Sequence, residues 1–300
     1  MTTYDVVILT DQKHAYPNIV DDYIKNVITE DALVANALGQ LGLNVIRLAW
    51  SDPDFDWSTT KSILFRTTWD YFDDFDKFLE WLNAVSKVTT LINSEAIIRW
   101  NIDKHYLQDL QKNGVHIAET LFIETGTTKT LKELHTETGW INTVLKPCVS
   151  GGARHTYKLN ADNLDVYEAV FKDLISHEAM MLQPFQNKIV TEGEVSMMVF
   201  NGTYTHAVLK KAKAGDFRVQ DDFGGSVHHY KPIDKEIQFA IDSVKACDEL
   251  PLYARVDIFN DNNGKIALAE LELFEPELWF RNYPKAAHIL AKAIKEKIND

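Results

Sequence analysis

The stretch from Trp140 to Thr156, W-I-N-T-V-L-K-P-C-V-S-G-G-A-R-H-T, limits most strongly how this chain can fold. Ile141, Val144 and Leu145 run into Lys146-Pro147. A small, flexible segment, Ser150-Gly151-Gly152-Ala153, follows, and then Arg154, His155 and Thr156. The pattern predicts a strand that delivers a lysine to the mouth of a glycine loop. Glycine lets backbone N–H groups crowd an anion, and Lys and Arg supply positive charge, which is the chemistry of a polyphosphate site. A surface hairpin turn with stray charges is the plainer alternative. No G-x-x-x-x-G-K-[ST] occurs, so this is not a Walker loop.

Around this stretch the chain alternates strands and helices. Tyr4 to Thr10 reads as a buried strand, Asp21 to Leu41 as an amphipathic helix capped by Gly42, and Asn44 to Trp50 and Ser62 to Arg66 as further strands. Strands that alternate with helices predict a parallel α/β unit. The third strand empties into Arg66-Thr67-Thr68-Trp69-Asp70-Tyr71. Carboxyl ends of parallel strands are where ligands bind, so Arg66 is a candidate anion anchor, or else one half of a surface ion pair. A helix is expected over 74–85 and a short strand at Leu91. A domain boundary is expected near residue 98, then a helix from Trp100 to Gln111 capped by Asn101 or Asp103 and closed by Gly114. Ile117 to Ile123 reads as a strand, and 131–138 and 164–175 as helices. Met180 to Phe185 reads as a strand that ends in a hinge. Glu194 to Asn201 and Thr203 to Leu209 form a hairpin turning at Asn201-Gly202. After a helix over 233–248, strands 252–259 and 265–273 form a second hairpin, and a helix from Pro284 to Ile298 closes the chain.

With 45% hydrophobic residues in 300, a sizeable core is available. Lys+Arg 31 against Asp+Glu 44 gives a net charge of −13. Such a chain lacks the basic footprint that nucleic acid or an anionic membrane surface requires. Any anion site must be a local positive pocket, helped by metal ions. Cys148 and Cys247 form neither a disulfide framework nor a zinc pattern. The first residues lack a basic signal-peptide region, and no apolar run approaches the ~18 residues of a membrane span, so a cytoplasmic protein is expected.

The last hairpin carries acids. Asp257 lies in A-R-V-D-I-F, and Glu270 and Glu272 lie in L-A-E-L-E-L-F-E-P. Period-two alternation places both glutamates on one face of a strand, and Asp257 on the paired strand can reach that face. Like charges so packed repel one another. A Mg²⁺ between them would resolve this, and an ordinary solvated strand face is the alternative.

Taken together, these motifs resemble the ATP-grasp superfamily, with its glutathione synthetase-like ATP-binding fold. Within it the chain is most similar to bacterial ligases of the cycloserine synthetase kind, which close a ring on O-ureidoserine. The resemblance rests on Asp103-Lys104, L-K-P with S-G-G-A-R-H-T (Lys146 to Thr156), Q-P-F (Gln183 to Phe185) and G-E-V-S (Gly193 to Ser196). It also rests on G-D-F-R-V-Q…G-G (Gly215 to Gly225), R-V-D (Arg255 to Asp257) and E-L-E (Glu270 to Glu272). It implies an N-terminal parallel α/β substrate-side domain (1–98) and two α+β subdomains that clamp the nucleotide. The smaller subdomain (99–185) carries the glycine loop and the C-terminal one (186–300) the metal carboxylates.

Residue by residue, the resemblance implies that Lys104, Lys146 and Lys210 contact the ATP phosphates under the Ser150-Gly151-Gly152 loop. Gln183, Pro184 and Phe185 would face adenine, with Gln183 where relatives usually carry an acid. Glu194 would bind ribose. Arg218, Arg255 and Lys146 would act on the transferring phosphoryl group. Asp257, Glu270 and Glu272 would hold Mg²⁺, two ions by the family pattern, with Mn²⁺ an alternative. Glu272 replaces the asparagine that many relatives have. Arg66, Trp69, Asp70, Arg154 and the segment from Arg218 through Gly224 and Gly225 are the candidate substrate determinants.

The implied reaction activates a carboxylate as its acyl phosphate, and an amine nitrogen then displaces phosphate to form an amide or a ring. The partners are therefore a small carboxylate and an amine; a homodimer is compatible with the sequence. A kinase of the same fold and a non-catalytic nucleotide binder are the alternatives. His155, His206, His228 and His229 are read as structural or substrate-contacting.

Overall fold

The computed structural model describes residues 3–299, apart from 214, 217 and 220–223. Phe217 of the G-D-F-R-V-Q motif and residues 220–223 of the expected substrate segment therefore lie outside the described residues. The first sheet is parallel, with order β2-β1-β3-β4, from β1 (Tyr4–Thr10), β2 (Val45–Ala49), β3 (Thr60–Thr67) and β4 (Thr90–Ile92). Val6, Val7, Ile8 and Leu9 are all fully buried, as a central strand covered on both faces requires. The helix Asp22–Gln40 begins where the Asp21 carboxylate accepts the Ile24 N–H at 2.8 Å.

The second sheet, order β5-β8-β6-β7, is antiparallel and holds β5 (Leu121–Ile123), β6 (Thr143–Pro147), β7 (Tyr157–Leu159) and β8 (Met180–Pro184). The third, order β11-β10-β9-β12-β13, is antiparallel as well. It contains β9 (Glu194–Phe200), β10 (Thr203–Lys211), β11 (Ser226–His229), β12 (Tyr253–Asn260) and β13 (Ile266–Glu272).

Three local expectations need correction. The helix expected from Trp100 instead spans Glu95–Ile102, so residue 98 lies inside it. Ser94 is its cap, the hydroxyl accepting the Ile97 N–H at 3.3 Å. The helix stops at Asp103 because the Lys104 N–H donates to the Cys148 carbonyl (2.9 Å) instead of continuing the turn, and a second helix covers Tyr106–Lys112. The expected strand over 117–123 is a strand only at β5. Ile117 bridges to Leu268 at the edge of the third sheet, so this segment runs from one sheet edge to another. Asn187–Glu192, which carried no helix expectation, is a short helix.

The closing helix, Lys285–Asn299, packs on Asp22–Gln40, and one apolar core joins Val6, Ile8 and Leu38 to Phe200, Tyr253 and Leu290. The first and third sheets thus share their interior. Among the described residues no helix is long and apolar enough to cross a membrane.

Candidate active site

All three sheets contribute to one cavity of about 1000 Å³. Its floor is set by strand register in the third sheet. Lys210 lies opposite Glu194, Asp257 opposite both Ser196 and Glu270, and Arg255 opposite Glu272, so these side chains share one face. Gly193 makes the start of β9 possible: its φ is +94°, and a Cβ there would lie 2.5 Å from the Lys210 carbonyl oxygen.

The charges on this face interlock. Lys210 Nζ lies 2.6 Å from Glu194 and 2.9 Å from Asp257. Arg255 grips Asp257 through Nε (3.0 Å) and Nη2 (2.9 Å) and also pairs with Glu272. Lys104 reaches Glu270 at 3.0 Å and donates to the Ser150 carbonyl at 2.7 Å, joining the carboxylate strand to the glycine loop. Cations thus offset the repulsion that the sequence pattern implied. Burial opposes the Asp257 carboxylate, but Arg255 and Lys210 outweigh it and hold its pKa well below the usual range. Burial likewise opposes the Lys210 ammonium, yet Asp257 and Glu194 keep it charged.

The compensation is incomplete. Burial, with Glu270 and Asp257 adding to it, pushes Glu272 well above the ordinary glutamate range in spite of Arg255. Burial lifts Glu275 to about 7. A face of hard oxygen donors that still holds excess negative character fits a hard divalent cation.

The opposite wall comes from the second sheet. The Lys146 ammonium on β6 makes no hydrogen bond or ion pair among the described residues, and burial, with Lys104 adding to it, depresses its pKa. Val144 lies opposite Gln183, whose amide donates to the Thr120 hydroxyl at 2.8 Å. Pro184 and Phe185 continue this wall, and Lys158 sits 3.7 Å from the Phe185 ring centroid. In the glycine loop Gly152, Ala153 and His155 all have positive φ. Phe72 of the N-terminal region packs so closely on Gly151 that a Cβ there would meet the ring at 3.0 Å.

Most expected site residues line the cavity: Lys104, Lys146, Ser150, Gly151, Gly152, Gln183, Pro184, Phe185, Glu194, Lys210, Arg218, Arg255, Asp257, Glu270, Glu272, Trp69 and Asp70. Arg218 also binds its neighbour Asp216 through Nε and Nη2. Four expected substrate residues lie elsewhere. Arg66 is buried behind the wall, 3.4 Å from Asp31, with Nη1 donating to the Pro276 carbonyl and its guanidinium over Phe280; it is neither a ligand anchor nor a surface pair. Arg154 turns away to a two-point pair with Glu178. Gly224 and Gly225 do not line the cavity. His206 is structural, buried with Nε2 2.9 Å from the Leu278 carbonyl, and burial depresses its pKa to about 4.

Several cavity residues had no expectation: Asp11, His14 and Tyr23 at the N-terminal end, and Glu275 beside β13. Asp11 and His14 follow β1 directly, and the strand-end rule that singled out the segment after β3 applies equally there. Asp103, His105 and Cys148 also bring possible metal-ligand atoms within 4.8 Å of one another. Asp103 and His105 already bond at 2.6 Å, and burial pushes the Cys148 thiol up to about 12.

An antiparallel sheet with a glycine loop, facing a second antiparallel sheet whose acids and cations interlock, is the ATP-grasp arrangement, and this chain has that fold. Residues 6–93 match the family described as D-cycloserine synthetase DcsG, N-terminal domain. The chain is similar to the cycloserine biosynthesis protein DcsG of Streptomyces lavendulae, 27% identical over 269 residues that cover 83% of this chain and 87% of that one. The crystal structure of D-cycloserine synthetase DcsG superimposes with a TM-score of 0.84 at 23% identity, over 98% of this chain and 99% of that one. The ATP-grasp ligase PsnB, complexed with a minimal precursor variant, Mg and ADP, shares the fold at a TM-score of 0.65 and 16% identity, over 98% of each chain.

Proposed function

We propose that the chain joins a carboxylate to an amine nitrogen at the expense of ATP, through an acyl phosphate, on a small amino-acid-like substrate. The observation that carries this reading is the convergence of Lys104, Lys146 and Lys210 with Asp257, Glu270 and Glu272 on one cavity. Lys104 and Lys146 would bind the phosphates from the loop side and Lys210 from the floor. The Ser150–Gly152 loop would cover them. Gln183, Pro184 and Phe185 would hold adenine, and Glu194 the ribose. Asp257, Glu270 and Glu272 would hold Mg²⁺, as one ion or two, and Mn²⁺ suits the same donors. The bound cation would neutralise phosphate charge. The PsnB complex with Mg and ADP supports this choice.

The substrate carboxylate oxygen attacks the γ-phosphorus, and ADP leaves. Arg255 and Arg218 would stabilise the charge that passes to the acyl phosphate. A nitrogen then takes the carbonyl carbon and phosphate leaves. Positioning and charge neutralisation do most of the work, so no protein nucleophile is needed. The aromatic end of the cavity, with Tyr23 and Trp69, suits the ammonium group of an amino acid. The similarity to a D-cycloserine synthetase supports an amino acid that closes on itself. Activity in the cytoplasm, where ATP is available, belongs to the same reading.

Hydroxylamine trapping tests this reading. With ATP, Mg²⁺ and a panel of amino acids headed by O-ureidoserine, the enzyme should release ADP and form a hydroxamate. A stable phosphorylated product without phosphate release would make the chain a kinase. ATP retained with every carboxylate would make it a binder.

A further inference from the structure

We propose that His14 is a catalytic base for the second half-reaction, taking the proton from the nitrogen that attacks the acyl phosphate. The proposal rests on the ligase reading above and adds a residue from the N-terminal wall. His14 lies just past the carboxyl end of β1, a central strand of the parallel sheet, where such sheets present ligands. It is only 3% exposed, yet it lines the cavity beside Tyr23 and Trp69.

Its surroundings fix the tautomer. Nδ1 lies 2.7 and 2.8 Å from the two Asp11 carboxylate oxygens, so Nδ1 carries the proton and donates it. Nε2 is then an acceptor, and it finds no hydrogen-bond partner among the described residues. The ring is held edge-on by Trp69, at a centroid distance of 5.6 Å, and by Tyr23 at 6.3 Å. Arg47 fixes the backbone by donating to the His14 carbonyl at 2.7 Å. A capping role does not account for this. Asp11 caps the four-residue helix Gln12–Ala15 through the His14 backbone N–H, which any residue would provide.

Nearby groups are committed elsewhere. Asp70 accepts from the Trp50 indole at 2.6 Å. Glu275 sits under the influence of Lys104, Glu270 and Arg255 on the phosphate side. A buried carboxylate that orients an imidazole lining the cavity, and leaves its other nitrogen unpaired among the described residues, is the arrangement of an acid–base pair. As the neutral nitrogen forms its bond to the carbonyl carbon, its proton passes to Nε2, and Asp11 stabilises the imidazolium. The C–O bond to phosphate breaks with its electron pair on oxygen. His14 then returns the proton to the departing phosphate, which leaves as HPO₄²⁻, and the imidazole is neutral again.

The test separates the half-reactions in His14→Ala and in His14→Gln, which preserves bulk if the smaller residue fails to fold. Hydroxylamine is a strong neutral nucleophile and needs no base from the protein. With O-ureidoserine, or whichever carboxylate the wild type activates, hydroxamate formation should stay within about threefold of wild type. Ring or amide formation should fall by about 10²- to 10⁴-fold. Added imidazole should restore part of it in His14→Ala. Unchanged product formation would overturn the proposal, and so would equal loss of both reactions, which marks a structural role. A wild type that forms no hydroxamate with any carboxylate would instead overturn the ligase reading, and this inference with it.

Discussion

Lys104 and Glu270 meet at 3.0 Å across the gap between the turn after the helix Glu95–Ile102 and β13, and the same ammonium holds the Ser150 carbonyl of the glycine loop. Lys146, its neighbour on the cavity wall, has no such partner among the described residues. The two lysines should therefore fail differently. Lys104→Ala strands Glu270 beside Asp257 and should cost about 2 kcal/mol of ligand-free stability. Lys146→Ala relieves a depressed ammonium and should leave stability within about 0.5 kcal/mol. Both should lose the stabilisation of about 2.7 kcal/mol expected from ATP and Mg²⁺ at ~100 times the dissociation constant. Urea unfolding with and without the nucleotide reads all three quantities. A Lys146→Ala protein that keeps the full ATP shift would remove the phosphate site from this wall.

The metal prediction follows from the same face. ATP alone brings phosphate charge onto Asp257, Glu270 and Glu272, so its thermal shift should be small until Mg²⁺ is added. Asp257→Asn should raise the Mg²⁺ concentration needed for half the shift by tenfold or more, about 1.4 kcal/mol in binding. Titrating Mg²⁺ at fixed ATP measures this. An ATP shift that is full in the presence of EDTA would show that the carboxylates serve only their cations.

The acids also set a pH dependence. Burial raises Glu275 from its ordinary 4.5 to about 7. A carboxyl raised in the folded state contributes stability that is present below the unfolded value and lost as pH rises through the folded one. Ligand-free stability should therefore decline between pH 4.5 and 7, with Glu272 acting in the same direction. Glu275→Gln should flatten the decline. Unfolding midpoints at pH 5, 6, 7 and 8 provide the check, and an identical slope in the variant would place the cause elsewhere.

The carboxylate face was legible in the sequence only in part. Alternation put Glu270 and Glu272 on one side, but the register that runs from the turn would set Asp257 opposite Ala269, and an irregularity between Asp257 and Ile258, which no local pattern reports, is what brings it opposite Glu270. The glycine loop was legible because Lys146-Pro147 and Gly151-Gly152 are contiguous. Arg66 was misread because its partners are distant. Glu30 and Asp31 sit on the inner side of an amphipathic helix, where they look like surface acids, yet both are buried and bind Arg281 and Arg47 besides Arg66. The break at Asp103, where one helix was expected to run on to Gln111, was not legible because a backbone bond to Cys148, far along the chain, decides it. His14 carried no expectation. Its significance depends on Trp69 and Tyr23 closing around it, which no local pattern reports.

The coupling of the first and third sheets turns on Asn93. Its amide nitrogen donates to the carbonyls of Tyr253 (2.9 Å) and Leu273 (2.8 Å), and its oxygen accepts the Leu252 N–H at 2.5 Å. The side chain is 3% exposed, so water cannot replace these bonds when it is removed. Asn93→Ala leaves one donor and two acceptors unpaired in the interior and should cost about 3 kcal/mol. Asn93→Asp keeps the acceptor, loses both donations and buries a charge, so it should cost at least as much. Because Tyr253 and Leu273 flank the strands that carry Arg255, Asp257, Glu270 and Glu272, the loss should appear in nucleotide affinity as well as in the urea midpoint. A destabilised Asn93→Ala protein that binds ATP and Mg²⁺ as wild type does, below its own midpoint, would show that the floor of the cavity keeps its register without this clamp.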